Sequence, residues 1–132
     1  MTIEELVEHW NKASDRDYQT MVDIYDTKRY HAALFFGHLT IEKLLKAAYV
    51  KNTKIPTPPK IHNLVSLARK SNLTLDDPKE RMLDIVTTFN IETRYDDWKD
   101  TFYKLCTKEF TDENINRIKE LRKWLKQTLA KS

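Results

Sequence analysis

The segment from Tyr30 to Val50 constrains the fold of this chain more than any other part of the sequence. It reads YHAALFFGHLTIEKLLKAAYV, with apolar residues on most sides of a helix. His38, Glu42 and Lys46 follow one another at steps of four residues along the edge of this apolar pattern. Polar groups beside a core are costly unless they are paired or used. The segment therefore predicts a buried helix with a candidate polar site along one edge.

The composition favours an all-α fold. The chain has one glycine and four prolines, and β-sheet folds use both residues in their turns. Hydrophobic residues make up 40% of the chain and charged residues 33%, with many good helix formers such as Lys, Glu, Leu and Ala. A chain of this length buries a core without further support, so we expect a single all-α domain over residues 1–132.

Charge and cysteine content exclude several kinds of site. The net charge of +3 is too small to indicate a nucleic-acid partner by itself. Because Cys106 is the only cysteine, we expect neither an internal disulfide nor a cysteine zinc cluster. The N-terminal segment is acidic and amphipathic, unlike a signal peptide, and no apolar run is long enough for a membrane span. We expect a cytoplasmic protein with no metal, no cofactor and no membrane association.

Helix signals in the first half predict two long helices and a loop. Thr2 and Glu5 form a capping-box pattern that begins the first helix, which we expect to end near Tyr25. The second helix is predicted over about residues 29–51. Three prolines then place a loop at residues 52–60, because proline cannot continue a helix.

The second half predicts a short helix and two further main helices. The third helix is expected to start near Ile61, with His62 at its beginning, and the Asp77-Pro78-Lys79-Glu80 sequence begins the fourth. A short helix is expected around Phe102, and Thr111 or Asp112 is expected to cap the last helix. Short connections favour antiparallel neighbours, so we predict an up-and-down four-helix bundle with one or two short extra helices.

The polar row on the second helix has two interpretations. Steps of four residues drift by roughly 40° around a helix, so we expect His38, Glu42 and Lys46 at the boundary between core and solvent. A Glu42–Lys46 ion pair of small energetic effect explains the spacing without any function. The spacing alone favours that simpler interpretation over a ligand site.

Three further residues are candidates for ligand contacts. His62 follows the prolines, and an imidazole there can either contact an anion or base, or hydrogen-bond a neighbouring helix end. Arg94 offers a planar fork for phosphate or carboxylate, and Tyr95 offers a stacking face. Asp96 and Asp97 follow directly, so an Arg–Asp bridge is the structural alternative.

Gly37 is the only glycine and lies in the middle of the second helix. A glycine in a helix costs up to about 1 kcal/mol relative to alanine. Close approach of another helix, within the bundle or across a dimer, would explain it.

These segments together resemble the HEPN family, the higher-eukaryote-and-prokaryote nucleotide-binding domain. The matching pieces, in chain order, are Trp10 to Asp17, the pattern Ala33-x-x-x-x-His38-x-x-x-Glu42-Lys43-x-x-Lys46-Ala47, the pattern Pro59-x-x-His62-x-Leu64-x-x-Leu67, and the pair Arg94-Tyr95. Asp96 stands where many relatives have a proline after that pair. The order and spacing cover nearly the whole chain.

The resemblance implies a bundle of four to five helices that is commonly dimeric and often encoded beside a small nucleotidyltransferase. It also implies binding of nucleotides or RNA. On this basis Arg94 and Lys46 would meet phosphate, and Tyr95 would stack on a base. His38, Glu42 and His62 would orient polar edges of the ligand.

One branch of the family contains metal-independent ribonuclease toxins of toxin–antitoxin pairs. That branch carries an arginine followed, after four to six residues, by a histidine, and no arginine of this chain has a histidine at that distance. Metal-free RNA cleavage needs a group that moves a proton as well as a cation that holds the phosphate charge. We therefore expect no catalytic residues, and a non-catalytic binding module. A ribonuclease that uses His38 or His62 instead, and a purely structural interaction domain, are the alternatives.

Overall fold

The structure, a computed structural model that describes residues 1–131, confirms the all-α prediction. The helices are α1 (Ile3–Asp26), α2 (Tyr30–Thr53), α3 (Leu64–Lys70), α4 (Asp77–Thr87), α5 (Asp96–Leu105) and α6 (Lys108–Ala130), with a 3-10 turn at Ile91–Thr93. Within residues 1–131, each helix is too short or too polar to cross a membrane.

The four longest helices alternate in direction along the chain. Helix α1 is antiparallel to α2, because Trp10 near its start contacts Lys46 near the end of α2. Helix α6 is parallel to α2, since Gly37 lies beside Ile118 and Lys51 reaches the carbonyl of Leu129. The short helices α3 and α5 lie in the α2–α4 and α4–α6 connections. This is the predicted up-and-down bundle.

Helix α2 is the centre of the bundle. It packs against α1, α3, α4, α5 and α6. Its buried residues therefore lie on several sides of the helix and include polar ones. A polar side chain on α2 is covered by protein in most directions.

Helix α3 begins later than the sequence predicts. Its first residue is Leu64, and the Asn63 side chain caps it by accepting a hydrogen bond of 2.9 Å from the amide of Ser66. His62 consequently lies in the preceding connection, residues 54–63, rather than at the start of the helix.

Helix α6 begins earlier than the sequence predicts. Thr107 is its N-cap and accepts a hydrogen bond of 3.2 Å from the amide of Phe110. The prediction that Thr111 or Asp112 caps this helix is wrong, because both lie within its first turns.

Gly37 allows α1 and α6 to approach α2. A Cβ atom at this position would lie 2.3 Å from Cδ1 of Ile118 and 3.1 Å from the sulfur of Met21. Both distances are shorter than ordinary van der Waals contact. The close approach that explains this glycine is therefore within the bundle.

A candidate binding site around Glu42 and His62

Glu42 is a buried carboxylate that holds two side chains. It is only 3% exposed. Its Oε1 accepts a hydrogen bond of 2.8 Å from Nδ1 of His62, and its Oε2 lies 3.2 Å from Nζ of Lys46. Glu42 therefore joins helix α2 to the 54–63 connection.

Within residues 1–131, His62 is held at two points, and one of its ring nitrogens has no hydrogen-bond partner. Because an ionised carboxylate only accepts hydrogen bonds, Nδ1 of His62 carries the proton directed at Glu42. Its backbone carbonyl accepts a hydrogen bond of 3.2 Å from Nε2 of His38. The His62 side chain is 51% exposed, so its Nε2 is left to face a ligand or solvent.

His38 is fully buried, and burial lowers its pKa despite the nearby Glu42 carboxylate. Because a carbonyl only accepts, the proton of the neutral ring sits on Nε2. Its Nδ1 is then an acceptor, and it has no hydrogen-bond partner among residues 1–131. His38 thus fixes the backbone of His62 without carrying charge.

The polar row is more deeply buried than its spacing indicated. His38 and Glu42 lie inside the protein, and the expectation that they sit at its boundary is wrong. The cause is the 54–63 connection, which crosses this side of α2 and places His62 over both residues. The Glu42–Lys46 ion pair expected from the spacing is present.

Lys46 lies between Glu42 and an aromatic ring of α1. Its ammonium is 5.1 Å from the centroid of Trp10, and its side chain is 16% exposed. Trp10 belongs to this site, although it was not among the predicted site residues. It reaches Lys46 because α1 and α2 are antiparallel and these two residues lie side by side.

Arg94 and Tyr95 lie on the surface where the 3-10 turn meets α5. Tyr95 is 87% exposed, and the Arg94 guanidinium lies 5.9 Å from the ring centroid of Trp98. Asp97 accepts from the amide of Trp98 instead of bridging to Arg94. Within residues 1–131 Arg94 forms no ion pair, so the Arg–Asp bridge considered above is not formed.

The structure joins four of the six candidate residues directly. His38, Glu42, Lys46 and His62 form one network of hydrogen bonds and ion pairs. No hydrogen bond, ion pair or ring contact within residues 1–131 links Arg94 or Tyr95 to that network. The candidate site therefore has a fixed part on α2 and a separate exposed part before α5.

The fixed part has a defined chemistry. A half-exposed imidazole with a carboxylate behind it can donate to a ligand, accept from it, or transfer a proton. In the described part of the chain, no group of three or more His, Cys, Asp or Glu side chains is arranged to hold a metal ion.

Comparison with known families identifies the chain. The model of the HEPN domain family matches residues 7–128, nearly the whole chain. No curated protein and no solved structure matches it. The family match supports a nucleotide- or RNA-related module in general. The chain belongs to the HEPN domain family.

Proposed function

We propose that this chain is a non-catalytic module that binds a nucleotide or RNA. The observation that carries the proposal is the fixed imidazole of His62, with its Nδ1 held by Glu42 and its carbonyl held by His38. The ring costs little entropy to order on binding, because it is already held in one orientation. In the neutral ring the free Nε2 accepts a hydrogen bond from a ribose hydroxyl or a base N–H, and in the protonated ring it donates one to a phosphate.

In this proposal the exposed pair Arg94 and Tyr95, the separate part of the site, supplies a phosphate contact and a stacking face. An arginine without an ion-pair partner can bind a phosphate through two parallel hydrogen bonds. A highly exposed tyrosine offers a face for base stacking. Lys46 adds a positive charge near His62, although the carboxylate of Glu42 partly neutralises it.

The proposal includes assembly as a homodimer and a small nucleotidyltransferase as partner in a toxin–antitoxin-type pair. The family resemblance implies both. Exposed apolar surface on α5 also supports an interaction surface there, since Tyr103 and Leu105 are both exposed. Size-exclusion chromatography with light scattering tests the dimer.

Binding is tested by thermal unfolding of the full chain against a panel of nucleotides and a short RNA. A ligand at a hundred times its dissociation constant should add about 2.7 kcal/mol of stability. His62→Gln and Arg94→Gln should each weaken binding about tenfold, because each loses a charge-assisted or oriented hydrogen bond. The matched control is Arg81→Gln, since Arg81 is an exposed arginine on α4 outside the site. No stabilisation by any ligand, or equal losses in Arg94→Gln and Arg81→Gln, would contradict the proposal.

A second function, metal-independent RNA cleavage, is favoured by one observation. A carboxylate that orients an imidazole through Nδ1 and leaves Nε2 free is the arrangement that proton-transfer sites use, and Glu42 and His62 have it. The RNA from the binding experiment distinguishes the two functions on a denaturing gel. Intact RNA supports the binding module, whereas cleavage that disappears in His62→Gln supports a ribonuclease.

A further inference from the structure

The C-terminal ends of α2, α3 and α6 surround a groove of about 600 Å³. Lys51, Lys54 and Lys131 line it together with the amide side chains of Asn52 and Asn72 and the ring of Trp124. None of the described residues that line the groove is an aspartate or a glutamate. This groove is separate from the Glu42–His62 network.

One of the three lysines of the groove is already hydrogen-bonded to the backbone of the chain. The Lys51 ammonium donates to the carbonyl oxygens of Leu129 and Lys131 at the end of α6. Lysines near helix C-termini offset the helix dipoles, which explains some of this charge without a ligand. Three helix ends carry together about one and a half negative charges, so the three ammonium groups leave an excess of positive charge.

Lys54 is the clearest source of that excess. It is exposed, lies in the left-handed backbone conformation (φ 62°) that ends α2, and forms no ion pair within residues 1–131. Asn52 donates one hydrogen bond of 2.8 Å from its side-chain nitrogen to the carbonyl of Ser71, and within that range the second N–H of the same amide has no acceptor. Trp124 adds an aromatic ring, with Lys79 5.3 Å from its centroid. Ammonium and amide donors beside an aromatic ring suit a phosphate with an attached base.

We infer that this groove is a second phosphate-binding surface, which holds the backbone of an RNA strand beyond the nucleotide at His62. The assignment to RNA rests on the proposed function, whereas the affinity for phosphate does not. The 54–63 connection links the two surfaces, since Lys54 is at its beginning and His62 is near its end. Along α2 the groove lies about 7.5 Å beyond Lys46, measured from Lys46 to Lys51.

Inorganic tripolyphosphate tests the groove without any RNA. Titrated into the nitrogen-15-labelled full chain, it should shift the side-chain amide signals of Asn52 and Asn72. Lys54→Gln should lower the affinity for tripolyphosphate about tenfold. Lys28→Gln is the matched control, because Lys28 is also an exposed lysine with a positive φ (66°) at the end of a long helix. The inference is overturned if these amide signals do not move, or if Lys28→Gln loses as much affinity as Lys54→Gln.

A fluorescent oligouridylate, measured over a range of salt concentrations, tests the assignment to RNA. The slope of log K against log salt is negative, and each lost phosphate contact makes it less steep by about 0.7 for a single strand. Lys54→Gln should show that change. An unchanged slope in Lys54→Gln would overturn the inference and leave the proposed function in place. Groove shifts with tripolyphosphate but no binding of any RNA or nucleotide would support the phosphate groove and contradict the proposed function.

Discussion

His38 is a buried imidazole whose two ring nitrogens lie in different surroundings. Nε2 donates to the carbonyl of His62, while Nδ1 has no partner within residues 1–131. Burial is the largest influence on its pKa and lowers it from the ordinary value of 6.5. The attraction of Glu42 and the hydrogen bond to His62 raise the pKa by less, and the charges of His62 and Lys46 lower it. The ring is therefore neutral in the folded protein at neutral pH.

This burial makes the stability of the protein depend on pH. Because the folded-state pKa of His38 lies below the unfolded-state value, the unfolded chain takes up the proton first as the pH falls. The contribution of His38 is complete above about pH 6.5 and is lost as the pH decreases. His38→Gln keeps an N–H donor for the His62 carbonyl but does not titrate. We expect its free energy of unfolding, measured with urea, to fall less between pH 7 and about pH 5 than that of the wild type.

His9→Gln is the control for this pH experiment, since His9 is exposed on α1. It should keep the wild-type pH dependence. Part of the dependence should remain in every variant, because burial also lowers the pKa of His31. Identical pH dependence in the wild type and in His38→Gln would rule out this role for His38.

At the scale of helices, the contact between Gly37 on α2 and Ile118 on α6 determines how closely the two helices pack. Gly37→Ala adds a Cβ atom that would lie 2.3 Å from Cδ1 of a fully buried isoleucine. Overpacking of this kind costs about 1–3 kcal/mol, against a helix-propensity gain of up to about 1 kcal/mol. We expect a net loss of about 1 kcal/mol in the free energy of unfolding.

Ile118→Val removes the atom that clashes and so allows a double-mutant cycle. Alone it should cost about 1 kcal/mol. Combined with Gly37→Ala, it should leave the protein about 1 kcal/mol more stable than the sum of the two single changes predicts. Ile115→Val is the matched control, because Ile115 is a buried residue of α6 that is not among the nearest neighbours of Gly37. If the effects of Gly37→Ala and Ile118→Val are additive, the new Cβ atom is accommodated by a movement that does not involve Ile118.

The sequence was sufficient to predict the helices, but not where all of them begin. Apolar residues at helical spacing predicted every main helix. The first turn of α6 depends instead on a tertiary contact, in which the ring of Phe110 packs 6.4 Å from that of Phe89. Thr107, Thr111 and Asp112 are all chemically suitable caps, and packing decides among them.

Only the part of the site that lies within one helix could be predicted from the sequence. Helical spacing alone put Glu42 and Lys46 within reach of each other. The His62–Glu42 hydrogen bond joins residues 20 positions apart, and it depends on the path of the 54–63 connection across α2. No periodicity in the sequence determines that path, so the burial of Glu42 could not be predicted.

At the scale of the whole molecule, the first and last long helices are joined by long polar side chains. Asp15 on α1 lies 3.1 Å from Arg122 and 2.6 Å from Lys126 on α6. The Arg122 guanidinium also lies 4.0 Å from the ring centroid of Tyr18. We call these four residues the α1–α6 seam.

Asp15→Asn should weaken the α1–α6 seam in a salt-dependent way. Two cations lose their carboxylate, but because the Asp15 side chain is 47% exposed, the loss should be only about 1 kcal/mol at low salt. Added salt screens exposed charges, so the difference from the wild type should shrink in urea unfolding at high salt. Glu8→Gln breaks the exposed Glu8–Lys12 pair within α1 and should change stability by less than about 0.5 kcal/mol. Equal effects of the two substitutions would contradict a special role for the seam.

The shared carboxylate of Glu42 has a mechanical consequence. His62 and Lys46 occupy its two oxygens, and Lys46 in turn rests on Trp10 of the first helix. A molecule bound at Nε2 of His62 leaves both oxygens of Glu42 occupied, so a shift of the ring would disturb the same acid that holds the ammonium against the indole. The position of a bound molecule is thereby coupled, through one acid, to the packing of the first helix.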